Sequence, residues 1–354
     1  MKLSAESLLK RINNNLEKIK KLNILVIGDV ILDRWLKGTV DRISPEAPVP
    51  ILKVEKEWND LGGAANVAKI ISHYSENTYL LGAIGKDQFS FRIKKLLKKY
   101  NIKDFLFNYD KTIVKTRLIA QNNQQIARVD RENDNLKIPS KIFKEKILNK
   151  ELGINFDAVF LIDYNKGLFT EENVELVKST FKSRYYISVK PANFNSFLTF
   201  FDIEKKLNNQ SLVNLLSINK SEFNEISKML LNNKANLTEN MISFLSNYNL
   251  INLLVTMGKD GLCLINKENF IKIDGIEVEV FDVTGAGDNV ISVFGIFDCV
   301  GFDPIESGLL ANIAGSICVS KPGTIAVKPK DIISFLQKTQ KFNPHFLESL
   351  LNHR

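Results

Sequence analysis

Asp288 stands in a glycine-rich stretch, Thr284-Gly285-Ala286-Gly287-Asp288-Asn289, between an apolar run ending at Phe281-Asp282-Val283 and another through Val290, Ile291, Val293 and Phe294. A strand that feeds such a turn into a helix makes an anion site. The glycines let the backbone approach a ligand, and the free N–H groups of the first helical turn, reinforced by the helix dipole, point at it. A carboxylate placed there costs affinity for an anion unless it has a chemical task. Taking the proton of a hydroxyl that attacks phosphorus is such a task. The same residues also suit a plain helix cap, since Asp is a preferred N-cap and Gly-Ala-Gly a common turn.

Other polar groups stand where apolar runs end, which is where ligands meet an open α/β sheet. Asn23 to Gly28 leads to Asp29 and, after Ile31-Leu32, to Asp33. Both carboxylates are placed to meet a polar substrate, although Asp29 also suits a turn. Leu212 to Ile218 ends in Asn219-Lys220-Ser221-Glu222, and Leu250 to Val255 ends in Thr256-Met257-Gly258. Gly62-Gly63 opens a helix whose first turn carries Asn66. That amide can bond hydroxyl groups, or the small residues around it serve close packing on a sheet.

The bulk numbers narrow the class. The chain has 354 residues, 44% hydrophobic and 25% charged, enough for one large α/β domain or two small ones. No apolar stretch approaches twenty residues and no secretory leader is visible, so no membrane partner and a cytoplasmic location are expected. Cys263, Cys299 and Cys318 are far apart and there are 3 histidines, which supports neither a disulfide framework nor a zinc site. The net charge of +8 is spread along amphipathic segments such as Arg92 to Lys99. Solvated helix faces explain it first, a phosphorylated small molecule second and nucleic acid last.

The elements that must position these residues follow from periodicity. Residues 1–21 read as an amphipathic helix appended to the core. Two alternating stretches, about 37–57 and 112–131, read as hairpins that pair into a small sheet over the site, a β-lid. Proline at Pro45, Pro48 and Pro50 keeps the first at an edge. Elsewhere strand and helix alternate, which predicts a doubly wound, mostly parallel central sheet with helices on both faces. The expected organisation is one large domain over 22–340 with the lid, then a tail over 341–354.

At this point the chain resembles the ribokinase-like carbohydrate kinases of the phosphofructokinase-B type, over roughly residues 22–335. Gly62-Gly63 with Asn66, Asn219-x-x-Glu222 and Asp282-x-Thr284-Gly285-Ala286-Gly287-Asp288 carry the resemblance. Within the family it looks closer to the kinases of D-glycero-β-D-manno-heptose 7-phosphate. The matching stretches include Gly28 to Arg34, Arg42 to Pro50, Lys115-Thr116-Arg117, Arg128-Val129-Asp130 and Asp163-Tyr164 with Lys166-Gly167.

The resemblance implies a ribokinase-like fold, ATP and Mg²⁺, and a homodimer formed through the β-lid. It implies that Asp288 is the catalytic base and that the amides of Gly285, Ala286 and Gly287 form an anion hole. Asn219, Lys220, Ser221, Glu222, Thr256, Gly258 and Gly261 would lie on the ATP side, with Glu222 reaching the metal through water. A helix cap is the other reading of Asn219 and Glu222. Asp33, Gly62, Gly63 and Asn66 would contact the sugar, and Arg117, Arg128, Lys166 and Lys190 its phosphate. Arginine's bidentate fork favours Arg117 and Arg128.

Two positions depart from the subgroup. Ser188-Val189-Lys190 replaces an Asp-Pro-Lys, and Asn289 replaces a Thr. The implied activity is phosphorylation of the anomeric hydroxyl of the heptose 7-phosphate. The alternatives are a kinase for another sugar or sugar phosphate, and a weakly active sugar-binding homologue. The nucleotidyltransferase unit fused to some relatives is expected to be absent.

Overall fold

The structure, a computed structural model, describes residues 4–133, 136–148, 153–201, 213–231, 236–343 and 345–353. Met1 to Leu3, Leu212, Pro344 and Arg354, which belong to the expected segments above, lie outside them.

In chain order, β1 (Asn23–Gly28) leads into a long hairpin of β2 (Val30–Ile43) and β3 (Pro50–Gly63). After the helix Ala64–Ser72 come β4 (Asn77–Leu81), β5 (Ala83–Ile84), β6 (Lys103–Asp104) and β7 (Phe107–Asn108). A second hairpin follows, β8 (Ile113–Ile119) and β9 (Gln125–Arg131). The second half supplies β10 (Ala158–Ile162), β11 (Arg184–Ser188), β12 (Val213–Asn219) and β13 (Leu250–Thr256). The last strands are β14 (Leu262–Ile265), β15 (Phe270–Ile273) and β16 (Leu351–His353).

Among the described residues ten strands form the central sheet, in the order β16-β15-β14-β13-β12-β11-β10-β1-β4-β6. It is parallel from β13 to β6 and antiparallel beyond β13. The period of two along each strand sorts its side chains into two cores, one per face. Ile24 and Val26 join Phe160 and the helix Ala286–Cys299 on one side. Leu25 and Ile27 join Val159, Leu161 and Phe194 on the other. The sheet order reverses beside β1, between β4 and β10, and a crevice forms beyond the carboxyl ends of strands at such a point.

The four-stranded sheet β3-β2-β8-β9 is the expected lid. Its first hairpin reaches further than 37–57, because β2 begins at Val30 and β3 runs on to Gly63. Pro45 and Pro48 sit in the turn between the strands and Pro50 opens β3, so the prolines interrupt no ladder. At the root of the lid, the buried Lys69 Nζ donates to Asp60 (2.9 Å) and to the Thr324 carbonyl (3.3 Å).

Three expectations are corrected. The N-terminal helix, Ala5–Lys20, is not an appendage: Leu8, Ile12 and Ile19 are buried in the main core, and Arg11 pairs with Glu306. The last residues carry β16, which pairs with β15 at the sheet edge. The run before the glycine turn is not a strand. Phe281 N–H donates to the Val319 carbonyl (2.8 Å), and the alternating Ile276, Val278 and Val280 line a cavity.

Candidate active site

Gly285 has φ +80° and is the N-cap of the helix Ala286–Cys299. A side chain there would be strained, and a Cβ would stand 3.0 Å from the Asn66 amide. Asp288 therefore lies inside the first helical turn and does not cap it. Its carboxylate accepts from Asn66 Nδ2 at Oδ2 (2.6 Å) and from the Tyr164 hydroxyl at Oδ1 (3.0 Å). Burial pushes the group above the usual carboxylate range, while the Asn66 and Tyr164 hydrogen bonds pull it back. Asp33 adds to the upward push and Lys190 opposes it.

Beside this turn lies a cavity of about 530 Å³, with Thr256, Gly258 and Gly261 on one wall and Ala286 and Gly287 among its lining. Val278, Val283 and Val319 give it an apolar side. Asn219 is the cross-strand partner of Thr256. Asn219 Oδ1 accepts from the Glu222 amide (2.9 Å), and the Asn219 amide donates to Glu222 Oε2 (3.2 Å). That is a reciprocal cap of the helix Lys220–Leu231, so the capping reading is realised whatever else the pair does. Lys220 and Ser221, in the same turn, are exposed.

On the lid side, Arg117 donates to Asp33 (2.7 Å) and lies over the Trp35 ring. A Cβ on Gly62 would stand 2.4 Å from Asp33 Oδ2, so only glycine leaves that carboxylate its place. The register puts Asp33 beside Lys115, Lys115 beside Asp130, and Arg117 beside Arg128, on one face. All four expected phosphate-binding cations are paired with carboxylates: Arg117 with Asp33, Arg128 with Asp130, Lys166 with Glu132, and Lys190 with Glu222. Lys115, not anticipated, is half-buried beside Glu132 and Asp130, and burial lowers its affinity for a proton.

Asp29 does not face a substrate. It is buried, and its Oδ2 accepts the amides of Tyr164 (2.8 Å) and Lys166 (3.0 Å). Asp163, also buried, accepts from the Asn165 and Lys190 amides and from Asn193 Nδ2, each at 3.1 Å. Its own amide donates to the Ser188 carbonyl (2.8 Å), so a carboxylate braces the stretch where Ser188 departs from the subgroup. Asn289 is fully buried and employed as well. It donates to the Gly285 and Ile325 carbonyls (2.9 and 2.8 Å) and accepts from the Val327 amide (2.9 Å).

Tyr164 and Asp163 were given no role in the expected site, and Asp29 was expected to meet a substrate, not to brace Tyr164. Their signal in the sequence was their place at the carboxyl end of an apolar run.

The description "pfkB family carbohydrate kinase" matches residues 21–331. The chain belongs to the pfkB family of carbohydrate kinases. As a pfkB-family member it is a phosphotransferase with an alcohol group as acceptor. It is similar to the "Bifunctional protein HldE" of Helicobacter pylori, with 33% identity over 341 residues, 94% of this chain and 70% of that protein. To the protein of that name from a Nitratiruptor species it is 31% identical, over 91% of this chain and 66% of the relative. The chain thus spans about two thirds of the length of these relatives.

Among solved structures, ribokinase from Thermotoga maritima superposes with a TM-score of 0.68 at 20% identity, covering 90% of this chain and 99% of that one. Phosphofructokinase-2 from Escherichia coli, solved with potassium, gives 0.70 at 15% identity, over 90% and 99%. These likenesses establish a ribokinase-like fold for this pfkB-family chain. Among the described residues no helix is long and apolar enough to cross a membrane.

Proposed function

We propose that the chain transfers the terminal phosphoryl group of ATP to the anomeric 1-hydroxyl of D-glycero-β-D-manno-heptose 7-phosphate, giving the 1,7-bisphosphate. The observation that carries the reading is Asp288, buried between Asn66 and Tyr164 and one residue from the amide of Gly287, which lines the cavity. In this reading the nucleotide occupies the cavity and the sugar sits between Asp33, Gly62, Gly63 and Asn66. Asp288 takes the hydroxyl proton as the oxygen attacks phosphorus. The amides of Gly285, Ala286 and Gly287 receive the charge that develops on the transferring group.

Among the described residues no group of three or more His, Cys, Asp or Glu side chains could hold a metal. A single carboxylate, Glu222, with its side chain 17% exposed, suits a Mg²⁺ that keeps its waters and arrives with the phosphates of ATP. Bound there it would neutralise phosphate charge. A cytoplasmic homodimer joined through the lid completes the reading, supported by the exposed apolar residues Ile43, Val49, Val54 and Val129 of the lid hairpins.

One observation favours a second reading, a kinase of the same fold for a different or unphosphorylated sugar: each proposed phosphate-binding cation already has a carboxylate partner. An ATP-consumption assay over a panel of sugars and sugar phosphates, with the product read by ³¹P NMR, separates the two. Turnover of heptose 7-phosphate at the 1-position is expected. Turnover of another sugar alone would replace the first reading with the second.

A further inference from the structure

We propose that Tyr164 is a positioning residue for the base: its hydroxyl, set in place by Asp29, fixes the orientation of the Asp288 carboxylate. The proposal rests on Asp288 being the base.

A carboxyl group turns easily about its last torsion, which is broad and roughly two-fold. Asp288 has lost that freedom, because its two oxygens are held by donors from two separate elements. Asn66 from the helix Ala64–Ser72 takes one, and Tyr164 from the loop after β10 takes the other. Each oxygen keeps lone-pair capacity for an incoming hydroxyl.

The loop that delivers Tyr164 is unusually constrained. Asp29 accepts the amides on either side of Asn165, and Asp163 accepts the Asn165 amide itself. Asn165 and Gly167 both have positive φ, 55° and 92°, so the chain folds back sharply after Tyr164. Lys190 Nζ lies 5.2 Å from the ring centroid, which fixes the other side of the phenol. A phenylalanine would fill the same space, so it is the hydroxyl that sets Tyr164 apart.

The same bond has an electrostatic effect. Asp288 faces Asp33 from β2, Lys190 from the segment after β11 and Cys318 from the helix Pro304–Val319. Burial raises the Cys318 thiol to about 12, and burial also raises the Tyr164 phenol, so both stay neutral at ordinary pH. Within this set the Tyr164 donor favours the ionised carboxylate. Deleting the hydroxyl raises the pH at which Asp288 loses its charge, so activity fails earlier on acidification.

The test is Tyr164→Phe, with kcat and kcat/KM measured against pH. The acidic limb is expected to move up by about one pH unit, the scale of one hydrogen bond to a charged group, with KM for ATP unchanged. A role in packing alone would lower thermal stability and leave the limb where it is; that outcome overturns the proposal. Asp29→Ala, which removes the acceptor of the Tyr164 and Lys166 amides without touching Asp288, is expected to move the limb the same way and serves should the phenylalanine variant not fold. Asp288→Asn separates this inference from its premise. If that variant keeps full turnover, the base reading and this inference fall together. If it is inactive while both other variants keep the wild-type limb, only the role of Tyr164 falls.

Discussion

Asn66 and Asp288 meet through a 2.6 Å hydrogen bond across a sequence separation of 222 residues, joining the first turns of two helices. Each helix follows a glycine of positive φ, Gly63 at 58° and Gly285 at 80°. The proposed sugar contact and the proposed base are therefore parts of one rigid junction.

Asp288→Asn keeps both neighbours in reach but can no longer take a proton. Turnover is expected to fall about 10²–10⁴-fold, the usual contribution of a general base, with little change in ATP affinity. Steady-state kinetics with ATP titration checks both parts, and an equally active variant would remove Asp288 from that role.

Gly62→Ala would put a methyl group 2.4 Å from Asp33 Oδ2. The carboxylate must move, and its pairing with Arg117 moves with it. KM for the sugar is expected to rise at least about tenfold, about 1.4 kcal/mol, while KM for ATP stays near wild type. Equal changes in both would show that the substitution acts on the fold.

Stability is expected to depend on the buried Asp29 with a definite sign. Burial first, then the neighbouring Asp163 carboxylate, push Asp29 up to about 7 from the ordinary 3.8. The folded state then holds a proton that the unfolded state releases, so this contribution is present at about pH 4 and is lost as pH rises through 7. His73 opposes it between about 4 and 6.5, since burial and nearby lysines lower the imidazole to about 4. Thermal unfolding of wild type and Asp29→Asn across pH isolates the term. Wild type should lose stability relative to Asp29→Asn as pH rises from about 4 to about 7, with no further change above that, and a difference that stays constant would refute it.

Leu8→Ala tests the place of the N-terminal helix. Leu8 is 0% exposed in the main core. Its truncation is expected to lower stability by about 2–5 kcal/mol in urea unfolding, the cost of a cavity in a packed core. A loss under about 0.5 kcal/mol, typical of a surface site, would mean that the helix is only loosely attached.

Much of this architecture was legible because hydrophobic period and glycine placement are local signals. Ile24 to Ile27 reads as a doubly buried strand, and Gly62-Gly63 and Gly285 announce helix starts. The run ending at Phe281-Asp282-Val283 misled because apolar residues before a glycine turn can line a cavity as well as a sheet face, as Val280 and Val283 do. The N-terminal helix misled because amphipathicity tells that one face is covered and not by what. The Tyr164 contact with Asp288 spans 124 residues and depends on Asp29 folding the loop back, which no local pattern encodes. Likewise the pairing of Arg117 with Asp33 was set by the register of β8 against β2, visible only once the two strands were side by side.

The lid carries one more consequence. The chain has 2 tryptophans, and both are there: Trp35 on β2 and Trp58 on β3 stack with ring centroids 5.6 Å apart and planes 3° from parallel. Arg117, which holds Asp33, lies over the Trp35 ring. Excitation selective for indole thus interrogates this one corner of the molecule and nothing else. The protein carries its own optical gauge of the lid and of the proposed sugar pocket beside it, readable in emission and in the near-ultraviolet circular dichroism of a coupled indole pair, without any label.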